Sequence, residues 1–81
     1  MKARVFVSFK TTVLDPQGQA VRAALAGLGY TAITSVRQGK FFDIVLADGV
    51  SREQAQKDVE TIAHEVLANP VIEEYRVELA E

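Results

Sequence analysis

The sequence predicts an α+β sandwich in which two helices cover one face of an antiparallel sheet. Two observations carry this reading. Four stretches, 2–10, 30–37, 40–47 and about 74–79, are strand-like, rich in alternating, β-branched and aromatic residues, whereas 16–28 and 52–67 repeat at the helical period. Both helical stretches also open on unmistakable start signals. At 81 residues the chain is a single domain, 1–81, with no repeat, linker or low-complexity segment to divide it.

Taken in order, Ala3, Val5, Val7 and Phe9 share one face of the first strand, and Lys2, Arg4, Phe6, Ser8 and Lys10 share the other. Asp15-Pro16 starts the first helix, with a carboxylate at the N-cap and Pro at the position where its missing N–H costs nothing. Val21, Ala24, Leu25 and Leu28 form its apolar stripe, and Gly29 fits the residue after its C-cap. Residues 30–37 and 40–47 read as two strands joined by a tight turn at Gln38-Gly39, with Arg37 and Lys40 at the tip. Ser51-Arg52-Glu53-Gln54 has the form of a capping box. Ala55, Val59, Ile62, Ala63, Val66 and Leu67 then make the buried stripe of the second helix. Asn69-Pro70 ends it, and Tyr75, Val77 and Leu79 alternate with charged residues in the last strand. The order β-α-β-β-α-β is that of a ferredoxin-like sandwich.

Composition excludes several functions. With no Cys, disulfides, thiol nucleophiles and Cys-based zinc sites are ruled out, and one His cannot build a multi-His metal site. Nine Lys and Arg against eleven Asp and Glu, with a pI near 5.3, argue against a nucleic-acid surface. No apolar run is long enough to cross a membrane, and the N-terminus enters a strand pattern without a signal-peptide core, so a cytoplasmic protein is expected. Gly39-Lys40 lacks the rest of a phosphate loop and is explained as a turn. His64 sits one position off the apolar stripe, and the carboxylates punctuate wet faces, so no catalytic, cofactor-binding or metal-binding residue is assigned.

Size makes association the expected source of stability. A chain of 8.9 kDa exposes roughly 13,000 Å² unfolded and about 4,800 Å² folded. Burial then supplies on the order of 120 kcal/mol, and ordering the chain costs about the same. Phe6, Phe41 and Val45, with Val36 beside them, fall on the sheet face the helices leave open. An apolar patch there suits oligomerisation, through that open face or through edge strands.

Three strings add a resemblance: Val13-Leu14-Asp15-Pro16-Gln17-Gly18-Gln19-Ala20-Val21, Val36-Arg37-Gln38-Gly39-Lys40-Phe41, and Leu67-Ala68-Asn69-Pro70-Val71-Ile72-Glu73. In order and spacing they closely resemble the PurS family, from Lys2 to Glu78. Lys10-Thr11-Thr12 departs from it, where a Gly or another small residue is expected, and this bears only on the loop into the first helix. The resemblance implies the small subunit of a three-chain phosphoribosylformylglycinamidine synthase, an ATP-dependent, glutamine-using ligase complex of purine biosynthesis. It implies PurL and PurQ as partners, with ATP, Mg and glutamine used by the complex and none bound by this chain. It also implies a non-catalytic assembly and ammonia-transfer role, as a homodimer or dimer of dimers. On that view the partner-contact candidates are Arg37, Gln38 and Lys40 at the hairpin tip and Asp15 and Gln17 at the start of the first helix. The alternative is a dimeric ferredoxin-like regulatory module that binds a small ligand such as an amino acid. A small dimeric isomerase is a third reading, and it needs His64 or a carboxylate pointing inward.

Overall fold

In the computed structural model, which describes residues 1–80, β1 (Lys2–Phe9) is the central strand. β2 (Gly39–Val45) and β3 (Glu73–Ala80) run antiparallel on either side of it. Val5 lies opposite Phe42 and Val77, and Phe6 opposite Phe41 and Arg76, so the alternation read from the sequence sets the two faces. Ala3, Val5 and Val7 point to the helix side and are buried, as the strand pattern requires.

Two helices complete the fold: α1 (Pro16–Gly27) and α2 (Arg52–Ile62), the latter continued by a π-helical turn, Ala63–Leu67. The α+β class with an antiparallel sheet and two helices is as expected. α1 ends as the sequence predicts: Gly29 has φ +99°, and the N–H groups of Tyr30 and Gly29 donate to the carbonyls of Leu25 and Ala26. At α2, Ser51 accepts from the Gln54 N–H at 3.1 Å, but only half of the capping box forms. The Gln54 amide reaches forward instead, donating to Asp58 at 2.7 Å. Ala55, Val59 and Ala63 are fully buried, and Val59 and Ala63 form a small core with Ala3, Val5, Val7 and Ala68.

The expected strand at 30–37 is absent. Residues 33–38 carry no regular structure, and among the described residues no backbone–backbone hydrogen bond holds residues 33–37. The reason is local. The turn at Gln38-Gly39 does not close, because Gly39 has no positive φ and the Gln38 N–H is held by Asp15. Without the turn the segment has no neighbour, so the sheet has three strands.

The second consequence is an uncovered flank. α1 makes no extensive contact with the sheet; Gly18 is its one buried residue, whereas Val21 and, at the C-cap, Leu28 are exposed. Phe42 and Ile44 of β2, with Leu46 just beyond it, stay only half-buried on the helix side. The radius of gyration is 16.2 Å, against about 12 Å for a compact chain of this length. The surface of 5848 Å² exceeds the compact value by about 1,000 Å².

Candidate functional site

The expected partner-contact residues gather where β1 ends, α1 begins and β2 starts. Asp15 organises this corner. Its side chain is 2% exposed, one oxygen accepts from the Gly18 N–H at 3.0 Å, and the other from the Gln38 N–H at 2.7 Å. The same carboxylate therefore caps α1 and pins the segment leading into β2. Those two amides, helped by the nearby charge of Arg37, hold its carboxyl below the ordinary 3.8 despite the opposing effect of burial. An ionised group with both oxygens occupied has no proton to give, so this carboxylate, the one buried among the described residues, is a frame and not an acid.

Arg37 is the second pin. Its Nη2 donates to the carbonyls of Lys10 (2.8 Å), Val13 (3.1 Å) and Phe9 (3.3 Å). A guanidinium reaching three main-chain oxygens ties the approach to β2 to the loop before α1. It is committed within the chain instead of standing at an open hairpin tip.

Gly18 makes the close approach possible. A Cβ there would lie 2.2 Å from the Val36 carbonyl oxygen and 2.8 Å from the Asp15 carboxylate. The sequence analysis assigns Gly18 no role of its own, so this steric function is one it misses. The available signal was a glycine in the first turn of a helix, where it lowers helix stability by about 1 kcal/mol relative to alanine.

Asp15, Gln17, Gln38 and Lys40 line one cleft of about 410 Å³ with Val7, Phe9, Pro16 and Glu73. Arg37 lies outside it, in an adjoining hollow with Leu14, Gln19 and Arg22. Gln17 and Gln38 are exposed, and Lys40 extends to within 3.9 Å of the Glu73 carboxylate. Glu73 also accepts from the Asn69 N–H at 2.7 Å, linking the cleft to the turn before β3. The sequence did not single out Glu73, since its carboxylate looked like one of many wet-face acids.

The open face carries the expected aromatics in an unexpected setting. Phe6 is half-buried, and Phe41 and Val45 are 53% and 77% exposed. Phe6 and Phe41 stand 6.2 Å apart between ring centres. The Arg4 guanidinium lies 4.3 Å over Phe41, and that of Arg76 lies 4.4 Å over Phe6. Arg4 is in turn paired with Asp43 at 2.7 Å, and Arg76 with Glu78. The patch is therefore a lattice of rings and guanidinium groups, not bare hydrocarbon. Val36 is absent from it and lines the hollow beside Arg37. His64 is exposed, its ring edge-on to Tyr75 at 6.2 Å, and offers no inward base.

Comparison with known proteins agrees with this picture. The family model described as "PurS: Phosphoribosylformylglycinamidine (FGAM) synthase" matches residues 2–81. The phosphoribosylformylglycinamidine synthase subunit PurS of Bacillus subtilis is 39% identical, covering 99% of this chain and 93% of that protein. Its counterpart in Mycobacterium leprae is 42% identical over 94% and 91%. Among solved structures, B. subtilis PurS superposes with a TM-score of 0.86 at 40% identity, covering 99% and 98% of the two chains. A chain from the structure of PurLQS from Thermotoga maritima gives 0.82 at 31% identity, over 95% and 93%. With the match running along nearly the whole length of both partners, the chain belongs to the PurS family.

Proposed function

We infer that this chain is the small, non-catalytic subunit of a cytoplasmic phosphoribosylformylglycinamidine synthase, assembled with PurL and PurQ subunits and with copies of itself. The observation that carries the reading is the family match from residue 2 to 81, supported by the full-length likeness to a chain of a PurLQS assembly. The complex would convert formylglycinamide ribonucleotide, glutamine, ATP and water into formylglycinamidine ribonucleotide, glutamate, ADP and phosphate. ATP, Mg and glutamine would be handled by the larger subunits. The buried carboxylate here is fully engaged and the lone His faces outward, which fits a supporting role.

The physical contribution of such a subunit is placement. Ammonia released at one active site must reach another before it protonates in bulk water or diffuses away. A rigid adaptor that fixes the two sites and excludes water between them raises the productive fraction. Lys40, Gln17 and Gln38, around the cleft, are the partner-contact residues on this reading. Asp15 and Arg37 hold the frame that presents them.

Co-purification with the two larger subunits, with glutamine, Mg and ADP present or absent, tests the assignment. A ternary complex that supports glutamine-dependent activity is expected, and failure to assemble under every condition refutes it. Within that assay, Gln17→Ala combined with Lys40→Ala is expected to weaken assembly while the isolated chain keeps its fold by circular dichroism. Unchanged assembly and activity would remove the cleft from the interface.

A further inference from the structure

We propose that the hollow between α1 and residues 34–37 binds a phosphate group, as the free ion or as a monoester, with Arg22 and Arg37 donating to its oxygens. The site goes beyond the assembly role. It is a separate surface, sharing only Asp15 with the cleft beside Lys40.

Three observations lead to it. The first is uncompensated charge. On the open sheet face each guanidinium has a carboxylate partner, Asp43 for Arg4 and Glu78 for Arg76. Arg22 and Arg37 have none in ion-pair reach among the described residues, and they line the same hollow. In a chain with a formal net charge of −2, acids are plentiful, yet none neutralises this wall. The one acid lining it is Asp15, whose oxygens already accept from the Gly18 and Gln38 N–H groups. Its charge lies near Arg37 and weakens the local field, but it does not cancel two arginines.

The second observation is preorganisation. Nη2 of Arg37 is fixed by the carbonyls of Phe9, Lys10 and Val13, while the N–H groups on Nε and Nη1 have no acceptor among the described residues. The side-chain freedom that an exposed arginine ordinarily loses on binding is therefore already lost on folding. Arg22 follows Gln19 by three residues on α1, so the two share one side of a helix whose start Asp15 holds. The third is the donor set and the room. Gln19, Thr34 and Ser35 add an amide and two hydroxyls to the wall. A phosphate monoester carries a charge of about −1.5 to −2 on three strong acceptor oxygens, which suits donors arriving from two elements. A carboxylate offers a single charge on two oxygens in one plane. The hollow, about 500 Å³, lies within the ~300–1,000 Å³ of small-molecule sites, and Leu14 and Val36 give it apolar wall for whatever carries the phosphate.

The test is a titration of the isotope-labelled full chain followed by NMR, with inorganic phosphate, AMP and, for contrast, succinate as probes. Saturable shifts of the Gln19, Arg22, Thr34 and Ser35 amides and of the Arg37 Nε–H are expected with both phosphates, weakening as salt rises. Tighter binding of AMP assigns the site to a phosphate ester, and equal binding assigns it to the free ion. Arg37 pins the loop before α1, so the informative variant is Arg22→Gln, on the exposed side of the helix. It should weaken phosphate binding about tenfold or more, the worth of a charged hydrogen bond, with the rest of the spectrum unchanged. Lys57→Gln makes the same change of charge on α2, outside the hollow, and should leave the affinity within about twofold. The absence of any saturable shift at millimolar phosphate overturns the proposal. So does succinate binding as tightly as phosphate, or an equal loss in the Arg22 and Lys57 variants. None of these readouts involves the larger subunits, so a failure here leaves the subunit assignment standing, and failed co-purification leaves this site standing.

Discussion

Replacing Gly18 by alanine sets two effects of opposite sign against each other. Within a helix the change is favourable by about 1 kcal/mol, because glycine loses more backbone freedom on folding. Here the new methyl would sit 2.2 Å from the Val36 carbonyl oxygen, more than an ångström inside ordinary contact, and 2.8 Å from the Asp15 carboxylate. The first obstacle is main chain, fixed on one side by Arg37 and on the other by the Gln38–Asp15 bond, so it cannot swing away as a long side chain would. Overpacking of this kind costs about 1–3 kcal/mol, and relief by displacing residue 36 would also loosen the Gln38 N–H from its acceptor. Set against the helix gain, the net expectation is a loss of up to about 2 kcal/mol. For a domain of this size that lowers Tm by up to about 15 °C. Gly27→Ala is the control: it lies in the same helix, a Cβ there meets nothing within 4 Å, and it should raise Tm slightly. Both melts belong at one protein concentration, since association shifts the apparent midpoint. If Gly18→Ala melts at or above the wild type, as Gly27→Ala should, the close approach is not a constraint.

Three further outcomes follow from named contacts. Asp15 has a carboxyl held below its ordinary 3.8, so its contribution is complete above that value and disappears as pH falls through the lower folded-state value. Asp15→Asn should therefore be less stable at neutral pH, with the gap to wild type narrowing in thermal melts once the pH falls below 3.8; a gap that does not narrow there would contradict the assignment. Ser51→Ala removes the α2 cap and should cost about 1 kcal/mol by urea denaturation while leaving assembly with partner subunits intact. Val59 is fully buried between α2 and the sheet, and Val59→Ala should cost about 2–3 kcal/mol; a value below 1 would mean the core relaxes around the gap.

Much of the site was legible because its signals are local. Asp15-Pro16 announced a helix start, and the carboxylate does cap Gly18, as a short polar side chain at that position should. Its second bond, to Gln38, spans 23 residues and left no trace in local spacing. The same limit explains Arg37. As a charge beside a turn it looked free, and its three carbonyl partners come from a loop 24 to 28 residues earlier. Phe6 and Phe41 were placed on one face correctly, since alternation alone decides that. That Arg4 and Arg76 roof them depended on strand order, which alternation does not contain.

By itself the sequence determined the elements with their own hydrogen-bond ladders, caps or alternation: β1, α1, β2, α2, β3 and the Gly29 terminus of α1. It also determined the family, through strings spread along the whole chain. Only the tertiary structure decided whether residues 30–37 had a neighbour. A strand is stable only beside another strand, and β-branched residues next to a glycine are equally consistent with a closed hairpin and an open arm. Asp15, Arg37 and Gly18 tip that balance from a distance by holding the turn open, and the expected fourth strand stays an irregular segment beside α1.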